Sequence, residues 1–160
     1  MRLVAVHQLD REKLIHFFNT HWGSPEMVVS TGVYQCDQLD GFAVLGEDEK
    51  IIGLVTYTVN DHHCEIISLD AIEENKGIGT RLLRQVEALA KERNLPQVKV
   101  ITTNDNLHAL LFYQKRGYQM VEVYPNAVDK AREIKPSIPL FSEQGIPIRD
   151  EILLEKHVGE

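Results

Sequence analysis

Residues 66–83 read Ile66-Ile67-Ser68-Leu69-Asp70-Ala71-Ile72-Glu73-Glu74-Asn75-Lys76-Gly77-Ile78-Gly79-Thr80-Arg81-Leu82-Leu83. An apolar strand runs into a short polar loop, two glycines follow, and a helical stripe begins at once. Glycine permits positive φ and lets backbone N–H groups approach phosphate oxygens closely. The start of a helix presents unpaired N–H groups and the positive end of the helix dipole, so this loop reads as an anion cradle. Thr80 adds a hydroxyl donor, and Lys76, Arg81 and Arg84 add local positive charge. The plain alternative is a glycine turn that only joins a strand to a helix. Two phosphate motifs do not fit. A dinucleotide fingerprint needs a third glycine where this chain has Leu82, and a P-loop needs Gly-Lys-Ser/Thr where this chain has Gly79-Thr80-Arg81.

Upstream of the loop the signal is antiparallel. Residues 42–45, 51–59 and 64–69 read as strands, separated by the polar turn 46–50 and by Asn60-Asp61. Before them lie an opening strand over 2–7 and a helix that Asp10 can cap, with Leu14, Phe17, Phe18 and His21 at helical spacing. Trp22-Gly23-Ser24-Pro25 stops that helix. Residues 27–36 are apolar and β-branched but broken by Gly32, and stay unassigned.

Downstream, Ile78, Leu82, Leu83, Val86, Leu89 and Ala90 form one apolar stripe. Arg81, Arg84, Glu87, Lys91 and Glu92 fall on the wet side, and Asn94 and Pro96 end the helix. A buried strand over 98–101 follows, then a helix capped by Asn104-Asp105-Asn106 and closed after Arg116 by Gly117. A strand over 118–124 comes next. Pro125, Pro136, Pro139 and Pro147 mark a long irregular connection over 125–147 before a last strand over 149–156. This order predicts an α/β fold whose mixed sheet is antiparallel in its N-terminal part, carries a parallel central pair and is flanked by helices.

The 160 residues, 43% hydrophobic and 26% charged, predict a single domain over 1–160. Seventeen basic against 24 acidic residues give a net charge of −7, which argues against a nucleic-acid partner. No apolar stretch approaches the ~20 residues of a membrane span, and the N-terminus lacks a leader pattern. Two cysteines, Cys36 and Cys64, without a CxxC pair point to reduced thiols and a cytoplasmic protein. They read as small buried hydrophobes. No metal is expected, because His62, His63, Cys64 and Glu65 are consecutive and strand alternation throws them to opposite faces.

A second stretch, Asn106-Leu107-His108-Ala109-Leu110-Leu111-Phe112-Tyr113-Gln114-Lys115-Arg116-Gly117-Tyr118, reads N-x-x-A-x-x-F-Y-x-x-x-G-Y. With the E-x-x-G-x-G-x-x-L of residues 74–82, it resembles the GNAT superfamily of N-acetyltransferases. The resemblance covers residues 51–124 well. It implies acetyl-CoA as cosubstrate, its pyrophosphate cradled by Asn75, Lys76, Gly77, Ile78, Gly79 and Thr80. It also implies that the backbone at Leu69 bonds pantetheine and the thioester carbonyl, that Asn106 reaches the pantetheine arm, and that Tyr113 protonates the departing thiolate. The chain departs from the family at Glu74, where Gln or Arg is usual. A carboxylate beside a pyrophosphate is unfavourable, so Glu74 is expected to point away.

The acceptor implied is a primary amine of a small molecule or peptide. An alkyl amine is mostly protonated at pH 7, so its proton must go to a base or along a water chain. Alternation along the strand predicts His63, Glu65, Ile67 and Leu69 on one face, with Asp70 opposite. Glu65 and His63 are therefore the candidate bases, and the plain alternatives are a structural ion pair and a solvated hairpin residue. The acceptor is expected near Trp22–Ser24, the Glu65 face and residues 125–147, with Trp22 and Phe141 as candidate lining. A non-catalytic acyl-CoA sensor of the same fold is the rival reading. An unrelated phosphate-binding α/β domain is another. Homodimerisation, frequent in the family, is left open.

Overall fold

The computed structural model describes residues 1–73 and 76–159. In chain order these form β1 (Arg2–Ala5), α1 (Arg11–Trp22), β2 (Glu26–Val29), β3 (Gly32–Gln35), β4 (Asp40–Leu45), β5 (Ile51–Val59) and β6 (His63–Ala71). Then follow α2 (Ile78–Glu92), β7 (Gln97–Thr103), α3 (Leu107–Lys115), β8 (Gln119–Tyr124), α4 (Ala127–Ile134) and β9 (Glu151–His157). The mixed α/β composition agrees with the sequence reading. Residues 27–36, unassigned from the sequence, hold β3 and most of β2.

The chain divides into two compact units. The first holds residues 1–27 and 34–98 with the residues from 158 onward. Its strands run β1-β4-β5-β6, with every neighbouring pair antiparallel. Gly53 faces Ile78 and Leu82 of α2, while the next residue, Leu54, packs with Leu14, Phe17 and Phe18 of α1. Successive strand residues point to opposite faces, so α1 and α2 cover opposite sides of this sheet. Gly23, at φ +85°, ends α1 as a left-handed cap, its N–H donating to Asn19 O at 3.1 Å.

The α2 stripe is buried at Ile78, Leu82, Leu83, Val86 and Ala90. Glu87, placed on the wet face from sequence, is buried as well, and Arg84 Nη1 donates to its Oε1 at 2.8 Å. An i,i+3 partner on the same helix satisfies the charge and lets the carboxylate sit inside.

One irregularity in β6 overturns the predicted alternation. Glu65 lies opposite Thr58 and Ile66 opposite Tyr57, but the next pair is Ser68 opposite Thr56, followed by Leu69–Val55 and Asp70–Leu54. Ile67 is the extra residue of a β-bulge, and each bulge reverses the parity of everything beyond it. Glu65, Ser68 and Asp70 therefore share the face of Leu54, Thr56 and Thr58, whereas Leu69 points to the other face. The predicted set His63, Glu65, Ile67 and Leu69 does not share one face, and Asp70 is not opposite Glu65.

The second unit comprises residues 28–33 and 99–157. Its strands run β7-β9-β8, with β8 and β9 antiparallel. Ser30 donates to Glu151 Oε1 through its backbone N–H at 3.0 Å and its hydroxyl at 2.6 Å, which ties the β2–β3 turn to the start of β9. The predicted irregular connection over 125–147 contains α4. No proline lies between Pro125 and Pro136, so two helical turns fit, with Val128 and Ala131 inward. Arg132 holds the following loop by donating to the carbonyls of Ile138, Pro139 and Ile148 at 3.1, 2.8 and 2.8 Å.

Candidate active site

Within the first unit, the glycine motif opens α2. Gly77 is the N-cap residue at φ +74°, a conformation that strains any residue with a Cβ. Among the described residues no side chain caps this end, and no acidic residue lies in its first turn. The first helical bond runs from Arg81 N–H to Gly77 O at 3.0 Å. The N–H groups of Ile78 and Gly79 precede any intrahelical acceptor, the arrangement that in general suits an anion. Lys76 and Gly77 are exposed, Gly79 and Thr80 half-buried, and Ile78 is buried as the anchor. Asn75, expected to join the cradle, and Glu74, expected to point away, lie outside the described residues.

β6 carries the other candidates of this unit. Glu65 is buried, 7% exposed, on the face shared with Ser68 and Asp70. Between those two acids the hydroxyls of Thr56 and Ser68 bond each other at 2.6 Å. His63 opens β6 where it leaves the hairpin turn. Its backbone N–H and that of His62 donate to Asn60 Oδ1 at 2.9 and 2.7 Å, and its ring Nε2 lies 3.3 Å from Asn60 Nδ2. Leu69 is half-buried and faces the α2 side. At ~3.3 Å per strand residue, Glu65 sits at most roughly 13 Å and His63 at most roughly 20 Å along the strand from Leu69.

Asp70, ranked low from sequence, has the most unusual environment. Trp22 Nε1–H donates to its Oδ1 at 3.1 Å. Its Oδ2 is buried and has no hydrogen-bond partner among the described residues. Burial raises the pKa of this carboxyl, a shift opposed by the Trp22 hydrogen bond and by the charge of His21. Only the bulge brings this residue to the Glu65 face, and strand alternation in the sequence carries no sign of it.

In the second unit, Asn106 is the N-cap of α3, its Oδ1 accepting from Ala109 N–H at 3.1 Å. Tyr113 is the buried residue of that helix, its ring edge-on to Phe112 and Tyr118 at centroid distances of 5.2 and 5.5 Å. Gly117 follows at φ +94°, as expected of the closing glycine. Phe141 is 59% exposed, and Trp22 of the first unit is half-buried.

The sequence model of the Acetyltransferase (GNAT) family matches residues 5–118, which contain both motifs. The chain belongs to the GNAT acetyltransferase family. A relative, the uncharacterized protein YxbD of Bacillus subtilis (strain 168), is 52% identical over 158 residues, covering 99% of each chain. Among solved structures, a GNAT family acetyltransferase from Elizabethkingia anophelis with acetyl-CoA bound is similar at TM-score 0.62 and 26% identity, over 74% of this chain and 76% of that one. The IAA acetyltransferase from Bacillus cereus ATCC 14579 shares the fold at TM-score 0.69 and 21% identity, over 98% of this chain and 99% of its own. Membership of the GNAT family explains why the glycine motif and the Phe-Tyr motif occur together here.

Proposed function

We propose that this protein is an acetyl-CoA-dependent N-acetyltransferase, active as one domain over residues 1–160 in the cytoplasm, that acetylates a primary amine of a small molecule or peptide. The observation that carries this reading is the start of α2: a left-handed glycine cap, no capping side chain among the described residues and no acid in the first turn. An anion with several oxygens, such as a pyrophosphate, answers that set of N–H donors.

Lys76, Gly77, Ile78, Gly79 and Thr80, with Asn75, hold the pyrophosphate in this proposal. The Leu69 backbone bonds pantetheine and the thioester carbonyl, and Asn106 bonds the pantetheine arm. The amine attacks the carbonyl carbon directly in a ternary complex. The C–N bond forms, the C–S bond breaks, and the electron pair leaves on sulfur. Tyr113 protonates the departing thiolate, for which its phenol O–H has to come within hydrogen-bond reach of the sulfur. The amine proton travels toward Glu65 or His63 through water. Catalysis rests on positioning and on backbone donors for the developing oxyanion.

Calorimetric titration with acetyl-CoA, with ATP as control, tests the cofactor. Binding near one site per chain and selective over ATP is the expected result, and absence of heat at millimolar acetyl-CoA overturns the reading. Steady release of CoA with a primary amine separates an enzyme from a non-catalytic acyl-CoA sensor.

A further inference from the structure

Resting on that transferase reading, we propose that Asp70 is the group that binds the acceptor's ammonium and takes its first proton, with Trp22 holding the carboxylate in place. The starting observation is an imbalance. One oxygen of Asp70 accepts from the Trp22 indole at 3.1 Å, and the other is buried with no donor among the described residues. A carboxylate oxygen stripped of water and given no donor is costly, and folded chains rarely keep one without a use for it. Indole offers a single neutral N–H, so it fixes the orientation of the carboxylate without matching its charge. An ammonium supplies what is missing, because it brings up to three donors and the opposite charge.

Position favours the same assignment. Asp70 directly follows Leu69, whose backbone is assigned to the thioester, while Glu65 and His63 lie several residues back along the strand. The bulge at Ile67 turns Asp70 onto the face of Glu65 and the bonded Thr56–Ser68 pair. Trp22 is the last residue of α1, held there by the left-handed Gly23 cap. Of the titratable groups on this side, His21 of α1 acts on Asp70 through its charge, Glu65 of β6 lies on the same strand face, and Cys36 sits in the cluster of Leu54 and Phe18. Glu65, on the same face, is the next station for a proton that leaves Asp70 through water.

The step balances simply. One ammonium N–H proton passes to Asp70 Oδ2, leaving a neutral amine whose lone pair forms the C–N bond with the thioester carbon; as the C–S bond breaks, Tyr113 protonates the sulfur and the nitrogen's second proton leaves through water to restore the phenol. Burial suits Asp70 to this exchange, since it weakens the carboxylate's preference for staying ionised.

Trp22 is the chain's one tryptophan, so its fluorescence reports on the Asp70 carboxylate directly. The full chain is titrated with propylamine and 1,4-diaminobutane, against propanol as the uncharged match, in wild type and Asp70→Asn. The amide oxygen that this substitution introduces can still accept from the indole. Wild type is expected to show a saturable change with the amines and none with the alcohol, and Asp70→Asn to show neither. An unchanged amine response in Asp70→Asn, or no amine response in a wild type that binds acetyl-CoA, overturns the proposal. CoA release gives the second readout. Asp70→Asn is expected to lose about 100-fold in kcat/KM for the amine at pH 7 and to recover about tenfold per pH unit toward the amine's own pKa, with acetyl-CoA affinity unchanged. Equal turnover overturns the proposal. If Asp70→Asn does not fold, Trp22→Phe keeps the carboxyl, and is expected to lower kcat/KM and to retain a carboxyl-dependent pH profile displaced to higher pH, because the indole bond that holds the Asp70 pKa down is gone. A flattened profile there overturns the proposal. A failure of the transferase reading shows separately, as no acetyl-CoA heat and no CoA release, while the fluorescence arm still decides amine binding at Asp70.

Discussion

Ile78, the first residue of α2, rests directly on Gly53 of β5. A Cβ built on Gly53 would collide with Ile78 Cγ2 and lie 3.0 Å from Leu82 Cδ1. The absence of a side chain on one strand thus sets how closely the start of the helix approaches the sheet, and with it where the N–H groups of the glycine motif stand. Gly53→Ala is expected to destabilise the protein by about 1–3 kcal/mol, because Ile78 is buried and has no room to retreat. It is also expected to weaken acetyl-CoA binding by displacing the same turn. Urea unfolding and calorimetry read the two effects separately.

Asp70 carries a pH signature of its own. Its native pKa lies above the ordinary aspartate value of 3.8, chiefly through burial. Between 3.8 and that raised value the folded chain holds a proton that the unfolded chain has lost. The group's contribution is therefore fully present below 3.8 and is lost as pH rises through the native pKa. Asp70→Asn removes the buried charge and is expected to melt roughly 2–5 °C above wild type at pH 7. The gap should close as pH falls toward 3.8, and a variant that melts lower at pH 7 refutes the sign.

Tyr113→Phe separates packing from chemistry. The ring contacts with Phe112 and Tyr118 are edge contacts that phenylalanine keeps. Turnover is expected to fall about 100-fold, with acetyl-CoA affinity and melting temperature little changed. Undiminished turnover removes Tyr113 from the mechanism.

The two thiols are expected to be inert in the native state. Burial pushes the Cys64 pKa up to about 12, with Arg93 pulling the other way, and Cys36 is buried as well. A thiol reagent such as DTNB should leave both unmodified in folded protein at pH 7 and titrate two in denaturant. Rapid native modification of Cys64 contradicts the burial argument.

Much of the fold was legible because local patterns and tertiary packing agree. The 3.6-residue stripe from Ile78 to Ala90 is the buried side of α2, and the strand predicted over 51–59 is β5. Local signals failed where a partner decided the outcome. Glu87 reads as solvated by type, yet Arg84 on the same helix lets it go inside. Residues 127–134 read as loop among prolines, yet the burial of Val128 and Ala131 and the carbonyls gathered by Arg132 sustain a helix there. Of the candidate site, the turn that opens α2 was visible from Gly77 and Gly79, because positive φ and close backbone approach are properties of glycine itself.

By itself the sequence determined the family, most of the strands and helices from β4 to β8, and the glycine turn that opens α2. These depend on residue types at fixed spacing along the chain. Only the tertiary structure decided which acids share a face of β6. Parity along a strand is a running count, and one unpaired residue, Ile67, reverses it for everything that follows. Strand pairing with β5 creates that bulge and delivers Asp70 to Trp22, 48 positions away in the chain.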